Sequence, residues 1–481
     1  MSSQKHVHLI GICGTAMASL AGLLQRSGWR VTGSDAAVYP PMSDLLASLG
    51  IAVRQPFAAE NLAERPDCII VGNAISRGNV ELEYALDEKI PLDSMAHFLQ
   101  TEFLRGRQSL VVAGTHGKTT TTSMLAWIYQ VAAEYDAAWT PSFLIGGVAE
   151  NFGTSFALNP TRPFILEGDE YDTAFFDKGP KFLHYFPDAL ILTHVEFDHA
   201  DIYADLDAVK TAFQRLVNLV PRRGCIVAYD ASENLSQCVA RAFCNVERYG
   251  FSAGAHWRIT GAATQQDRSL WRVYRNGQPW AELSMPVVGE HNILNATAAA
   301  ALAAGQGIPL AAIQKALASF RSVKRRLEVC AEVNGVTVID DFAHHPTAIR
   351  ETLRALRMRY PGRRLWAVLE PRSNTLRRNV FQKELVDSLT LADAVVVAQV
   401  FQQEKIPAGQ RLHVEHVIAD LQQRQHAAIA LPDADTIVAH LATHVRPGDV
   451  VAILSNGGFG GIYRKLPEQL QQIAAVPKAE K

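Results

Sequence analysis

Short apolar runs rich in Val, Ile and Leu recur along this chain, most followed by a turn and then an apolar-periodic stretch of helical length. In the first hundred residues the pattern predicts strands at 6–12, 29–33 and 68–71, with helices at 17–26, 43–49 and 82–88. It resumes with strands at 109–113, 163–166 and 189–195 and a helix at 120–131. Residues 251–285 alternate polar and apolar, as an antiparallel hairpin does, and lead into an alanine-rich helix at 296–304. A third set follows, with strands at 336–339, 365–369, 394–400, 429–431 and 450–454 and helices at 380–389 and 436–444. Alternating strand and helix predicts the α/β class with mostly parallel sheets. At 481 residues the chain exceeds one hydrophobic core, and the pattern divides it at 1–106, 107–322 and 323–481. Residues 474–481 read as a frayed end.

The chemistry concentrates where predicted strands stop. The strand at 109–113 runs into Gly114-Thr115-His116-Gly117-Lys118-Thr119 and then a helix. That layout is a phosphate cradle: backbone N–H groups and the helix N-terminus face the anion, Lys118 reaches the terminal phosphates, and the Thr119 hydroxyl is placed for Mg²⁺. It departs from the full G-x-x-x-x-G-K-[ST] pattern, since Val112 stands where the first glycine would be. We read it as an ATP site, which makes 107–322 a central P-loop-type ATP-binding α/β domain. The strand at 163–166 delivers Glu167-Gly168-Asp169-Glu170-Tyr171-Asp172, and the one at 189–195 delivers Glu196-Phe197-Asp198-His199. Carboxylates and a histidine beside a cradle threonine form a hard-donor set suited to Mg²⁺ bridging phosphates. The competing reading is a set of helix caps. Four carboxylates in six residues favour metal for at least one of them.

The outer units read as Rossmann-like. In the first, a G-x-x-G turn (Gly11 to Gly14) is followed about 20 positions on by Ser34-Asp35, where a ribose-binding carboxylate would stand. Without G-x-G-x-x-G, tight packing is as good a reading as a nucleotide site, and a nucleotide-dependent dehydrogenase remains the alternative of another class. Residues 290–295 (EHNILN) either cap the alanine-rich helix or hydrogen-bond an adenine edge. In the third unit, strand ends carry DDFAHHP, EPRSNT and SNGGFGG, polar and turn-forming as a crevice rim is.

Composition narrows the classes. The chain is 48% hydrophobic and 20% charged with a formal net charge of −2, which points to no nucleic-acid or membrane surface. The N-terminus lacks signal-peptide architecture, no apolar run reaches spanning length, and the six cysteines form no CxxC pair. The expectation is a cytoplasmic enzyme with reduced thiols and no obligate protein partner.

Taken together, GTHGKTTTT (114–122), EGDEYD (167–172), EFDH (196–199), EHNILNA (290–296), KRRLE (324–328) and DDFAHHPT (340–347) resemble, in order and spacing, the Mur ligases. The likeness covers nearly the whole chain. It implies an ATP- and Mg²⁺-dependent ligase that joins an amine to UDP-N-acetylmuramate or its peptide derivatives through an acyl phosphate. GICGTAM and DDFAHHP resemble the branch that adds L-alanine. The segments SDAAVYPPMSDLL, GNAISRGN, EGDEYDTAFFDK, EPRSNT and SNGGFGG instead resemble the branch that joins the recovered tripeptide L-Ala-γ-D-Glu-meso-diaminopimelate in peptidoglycan recycling.

By resemblance, Gly114, Thr115, Gly117, Lys118, Thr119 and Thr120 hold the ATP phosphates, and His291, Asn292 and Asn295 contact adenine. Arg326 and Asp341 reach the γ-phosphate and ribose side. Thr119, Glu167 and His199 ligate Mg²⁺, with Lys118, Glu167, His199 and Arg326 as the catalytic set. Gly14, Thr15, Ser34 and Asp35 belong to a UDP-sugar pocket, which gives the first domain a sugar nucleotide and not NAD. From the residues themselves, Arg372 is placed on a peptide carboxylate, because a guanidinium fork suits one; an arginine bracing its own loop is the competing reading. Lys210 lies where some members carry a carbamylated lysine and receives no role.

Overall fold

Three α/β units, each built on its own main sheet, follow one another along the chain in this computed structural model, which describes residues 4–475 except Tyr39, Pro41 and Gln266. Residues 39 and 41 of SDAAVYPPMSDLL and the tail beyond 475 therefore lie outside the described residues. The first sheet runs Val53–Arg54, Arg30–Ser34, His6–Ile10, Cys68–Val71, Leu92–Ser94, all parallel. Strand order reverses beside His6–Ile10, and there Gly11, at φ +83°, turns the chain into helix Thr15–Arg26. The first strand ends at Ile10, two residues earlier than its apolar run suggests. Two strands of this sheet, at its edges, are too short to carry a hydrophobic pattern.

The second unit is a ten-stranded sheet. Gln108–Ala113 lies at its centre, between Ala189–Leu192 and Pro163–Gly168, with all three parallel. These strands are buried on both faces, which is why each reads as a continuous apolar run. The cradle helix, Lys118–Ala132, begins two residues before its predicted start because the Gly117 turn ends there. It packs in one core with the buried alanine face of helix Glu290–Gly305. The alternating stretch forms three antiparallel strands rather than a hairpin: Trp257–Gln265, Arg268–Arg275 and Gln278–Met285.

The third sheet runs Glu328–Val333, Val336–Asp341, Val450–Leu454, Leu365–Leu369, Ala394–Ala398, Ala427–Leu431, and only the first of these is antiparallel. The first two units share a core: the Phe156 ring lies directly beneath Gly22, and Ser19 and Ser155 hydroxyls meet at 2.7 Å. Among the described residues no helix is long and apolar enough to cross a membrane, and all six cysteines are free. The C-terminal ends of the parallel strands converge on two cavities, of about 610 and 980 Å³. The larger is lined from all three units, by Thr15 and Met42, by the cradle, and by the Gly457–Gly461 turn.

Candidate active site

The cradle is fixed from beneath by the neighbouring strand end. Thr115 donates its N–H to the His194 carbonyl at 2.8 Å, and its hydroxyl accepts from the Glu196 N–H at 2.9 Å. Gly117 has φ +79°, and a Cβ there would come within 2.6 Å of Asn295 Oδ1. Glycine is needed for both reasons.

Inside the cradle Lys118 is clamped. Its ammonium donates to both oxygens of Glu170, at 2.8 and 3.0 Å, and both side chains are nearly or fully buried. Burial alone would lower the lysine pKa, but the charges of Glu170 and Asp169 outweigh it and raise the value. At the next residue, Thr119 donates its hydroxyl to Glu167 at 2.9 Å, while the Gly146 N–H holds the other Glu167 oxygen at 2.7 Å. Burial dominates there and raises the Glu167 pKa.

A second cluster lies alongside. Donor atoms of Asp169, Glu170 and His199 all fall within 4.8 Å of one another. His199, at φ +55°, points Nε2 to Glu170 Oε1 at 3.4 Å. Burial lowers its pKa, but hydrogen bonding to Glu170 and the charges of Glu170, Asp198 and Asp169 carry it up to about 9. Asp169 is held by Lys181 Nζ at 2.8 Å.

The third unit closes over these groups. Thr375 donates to Asp198 at 2.6 Å, and Thr347 donates to Glu196 at 2.8 Å, where His116 of the cradle also pairs at 3.0 Å. Of two adjacent arginines, Arg325 is spent on structure, bonded to Asp340, Ser455 O, Gly457 O and Tyr463. Arg326, stacked over Phe342 at 5.0 Å, faces both cavities.

The smaller of these cavities takes Gly117 and Thr120 at one end and His291, Asn292 and Asn295 along its wall. His291 Nδ1 is buried there without a hydrogen-bond partner, so this wall has an unmet polar group of the kind a heteroaromatic base satisfies. Asn292 is partly spent, donating to Val288 O at 2.8 Å.

Three expected ligands turn out to have internal partners. Asp341 lines the smaller cavity, as expected of it, and also accepts from Leu327 N, Ala343 N and the Thr352 hydroxyl, so it fixes the turn that carries Arg326. Ser34 is fully buried and donates to Glu81, away from the cavities. Asp35 accepts the Cys13 and Ala37 N–H groups and so pins the glycine turn whose next residues are Gly14 and Thr15. Lys210 pairs with Asp207 at 2.5 Å and lines none of the cavities.

Sequence matches agree with this geometry. Three family models fit in chain order: the Mur ligase family catalytic domain over residues 6–106, the Mur ligase middle domain over 112–303, and the Mur ligase glutamate ligase domain over 325–457. The chain is 44% identical over 469 residues to the UDP-N-acetylmuramate–L-alanyl-γ-D-glutamyl-meso-2,6-diaminoheptandioate ligase of Escherichia coli, covering 97% of this chain and 99% of that one. This chain belongs to the Mur ligase family. It is thus an ATP-dependent, ADP-forming ligase, and the dehydrogenase alternative is set aside. The UDP-N-acetylmuramate–L-alanine ligase of Lachnoclostridium phytofermentans is more distant, 30% identical over 472 residues, with 96% and 97% of the two chains covered. Among solved structures, a murein peptide ligase from Psychrobacter arcticus superposes with a TM-score of 0.75 at 37% identity, covering 98% of this chain and all of that one.

A further cavity of this Mur ligase, about 460 Å³, opens beside the His199 cluster. Asp169, Tyr171 and His199 form one wall and Arg372, Asn374 and Arg377 the other. Arg372 stacks on Phe401 at 3.8 Å and pairs with Glu370 at 3.5 Å, so its charge is positioned and only partly offset. Of the partners of the motif residues, Glu170 (for Lys118) and Thr375 (for Asp198) stand within EGDEYD and EPRSNT, whereas Lys181 (for Asp169) carries no local sequence signal.

Proposed function

We propose that this enzyme joins UDP-N-acetylmuramate to L-alanyl-γ-D-glutamyl-meso-diaminopimelate, a step of peptidoglycan recycling in the cytoplasm. The observation that carries the choice of acceptor is the 460 Å³ cavity between His199 and Arg372. It is of the size that takes a drug-sized ligand, and a single alanine would leave most of it to water. The 44% identity to the E. coli tripeptide enzyme supports the same choice. We assign residues 1–106 to the sugar nucleotide, with Thr15, next to Gly14, lining the large cavity. Residues 107–322 take ATP, and residues 323–481 take the peptide.

The residues fit Mg²⁺. Thr119 with Glu167 is a hydroxyl–carboxylate pair at the phosphate end of the cradle, and His199 adds a second position with Asp169 and Glu170. Bound there, Mg²⁺ would neutralise charge between the phosphates and an incoming carboxylate. The lactyl carboxylate of the sugar nucleotide attacks the γ-phosphorus of ATP, releasing ADP and leaving an acyl phosphate. Lys118 and Arg326 stabilise the charge on the transferring group. The alanyl amine of the peptide then attacks the acyl carbon, loses a proton, and phosphate leaves from the tetrahedral intermediate. Arg372 holds a peptide carboxylate so that the amine faces the acyl carbon. Closure of the third unit, through Thr347 and Thr375, excludes water from the acyl phosphate.

The deciding experiment is phosphate release from ATP with Mg²⁺ and UDP-N-acetylmuramate, run in parallel with the tripeptide and with L-alanine. Release with tripeptide and little with alanine is expected. The reverse would make this the alanine-adding enzyme.

A further inference from the structure

Arg377 lies on the same cavity wall as Arg372 but has no acidic partner. It makes no ion pair among the described residues. Its Nη2 donates to Asn374 Oδ1 at 2.5 Å and its Nη1 reaches Phe401 O at 3.4 Å, while its Nε is buried without a partner. Burial, the neighbouring Arg378 and, more weakly, Arg372 depress its pKa, with Asp201 opposing. Arg377 therefore faces the cavity with no acidic partner, beside an Arg372 that Glu370 offsets only at 3.5 Å, an arrangement that costs free energy until an anion enters. The segment beneath them is built to hold both. Phe401 gives its ring to Arg372 and its carbonyl to Arg377, and Gln402 follows at φ +47°, a backbone region that favours glycine.

We propose that Arg377 is a second carboxylate anchor in the acceptor site, so that with Arg372 it binds two of the acceptor's carboxylates and discriminates against a single amino acid. The inference rests on the ligase reading above. The tripeptide carries carboxylates on its γ-glutamyl and diaminopimelate residues, whereas free alanine has one. Arg372 and Arg377 belong to one short turn, so the spacing between two carboxylates is measured by a rigid element. Asn374 holds Arg377 in place and is itself tied to Asp201 at 2.7 Å across the cleft. The anchor is therefore fully assembled only when the second and third units meet.

The test compares the parent enzyme with Arg377→Gln and Arg377→Lys, reading kcat and KM for the tripeptide, with KM for ATP as a folding control. Arg377 lines neither nucleotide-side cavity, so KM for ATP should not move. Arg377→Gln should raise the tripeptide KM by about ten- to a hundred-fold, the size of one lost charge-assisted hydrogen bond, with kcat nearly kept and partial recovery in Arg377→Lys. Tripeptides amidated at one carboxylate at a time complete the cycle. One amide should lose the same factor in the parent and nothing further in Arg377→Gln. An unchanged KM in Arg377→Gln, or amides penalised equally in parent and variant, would overturn the anchor alone. A parent enzyme inert with tripeptide would overturn the ligase reading and the anchor with it.

Discussion

Replacing Lys118 with methionine removes the ammonium and keeps most of the stem, so it tests two roles at once. In the free enzyme the ammonium is bonded to both Glu170 oxygens, and the side chains are 13% and 2% exposed. Taking one partner from a buried pair costs about 3–5 kcal/mol, because the other charge is stranded. His199 remains 3.4 Å from Glu170 and takes up part of that charge, which puts the expected loss near the lower bound, about 3 kcal/mol. For a cooperative unit of roughly 150–250 residues that corresponds to a fall of about 6–12 °C in thermal midpoint. Turnover should fall by at least about 10²–10³-fold, since charge developing on the transferring phosphoryl group loses its nearest cation. The double variant Lys118→Met/Glu170→Gln separates the two effects. It no longer strands a charge, so the midpoint should largely return while activity does not. The assays are differential scanning fluorimetry and ADP release. A Lys118→Met protein with the parent midpoint would refute the buried-pair energetics. Near-parent turnover in a folded variant would remove Lys118 from phosphoryl transfer.

Gly117→Ala puts a methyl group 2.6 Å from Asn295 Oδ1 at φ +79°, a strain of about 1–3 kcal/mol that should weaken ATP binding by about five- to a hundred-fold; nucleotide titration by calorimetry checks it. Glu167→Gln keeps shape and one acceptor oxygen for the Gly146 N–H, with the Thr119 hydroxyl turned to accept from the amide, but lowers the charge, so the Mg²⁺ needed for half-maximal rate should rise by more than an order of magnitude, read from a metal titration at saturating ATP. His194 is held neutral by burial, which with the charge of His116 lowers its pKa to about 4. An unfolded histidine binds a proton below about 6.5 and the folded one does not, so stability is complete above pH 6.5 and is lost on acidification towards pH 4, at up to about 1.4 kcal/mol per pH unit. In His194→Gln the drop in thermal midpoint between pH 7.5 and pH 5 should shrink, and an unaltered drop would refute this account.

What could be read from the sequence follows from how local each signal is. The strands at 109–113, 163–168 and 365–369 are buried on both faces, and a continuous apolar run is what such burial demands. The cradle is local too, with strand, turn and helix start inside a dozen residues. The three-stranded meander was half legible. Its alternation is plain, and Asn276-Gly277, both at positive φ, is the tight-turn pair that marks the second reversal. Helix Pro346–Arg359 also had its signal, a proline at its first position behind the capping His345. Edge strands of two or three residues, such as Val53–Arg54, have too few positions for any period to show.

Within the site, the limit is of another kind. A motif says which polar residues arrive at a strand end, but not what each of them faces. Asp341 and Ser34 stand in motif positions with the right chemistry for a ligand, yet both are buried and bonded within the protein. A buried oxygen must have a partner in the free enzyme, and here the fold itself supplies it. Lys118 and Arg377 show the complementary case. The lysine's charge is balanced by Glu170, 52 positions away, so its role in the free enzyme is set by a contact no local pattern encodes. The Arg377 Nε has no such partner. An unmet buried donor in a cavity beside the reaction centre is a stronger pointer to a ligand than membership of a motif, because its cost is offset only when something binds.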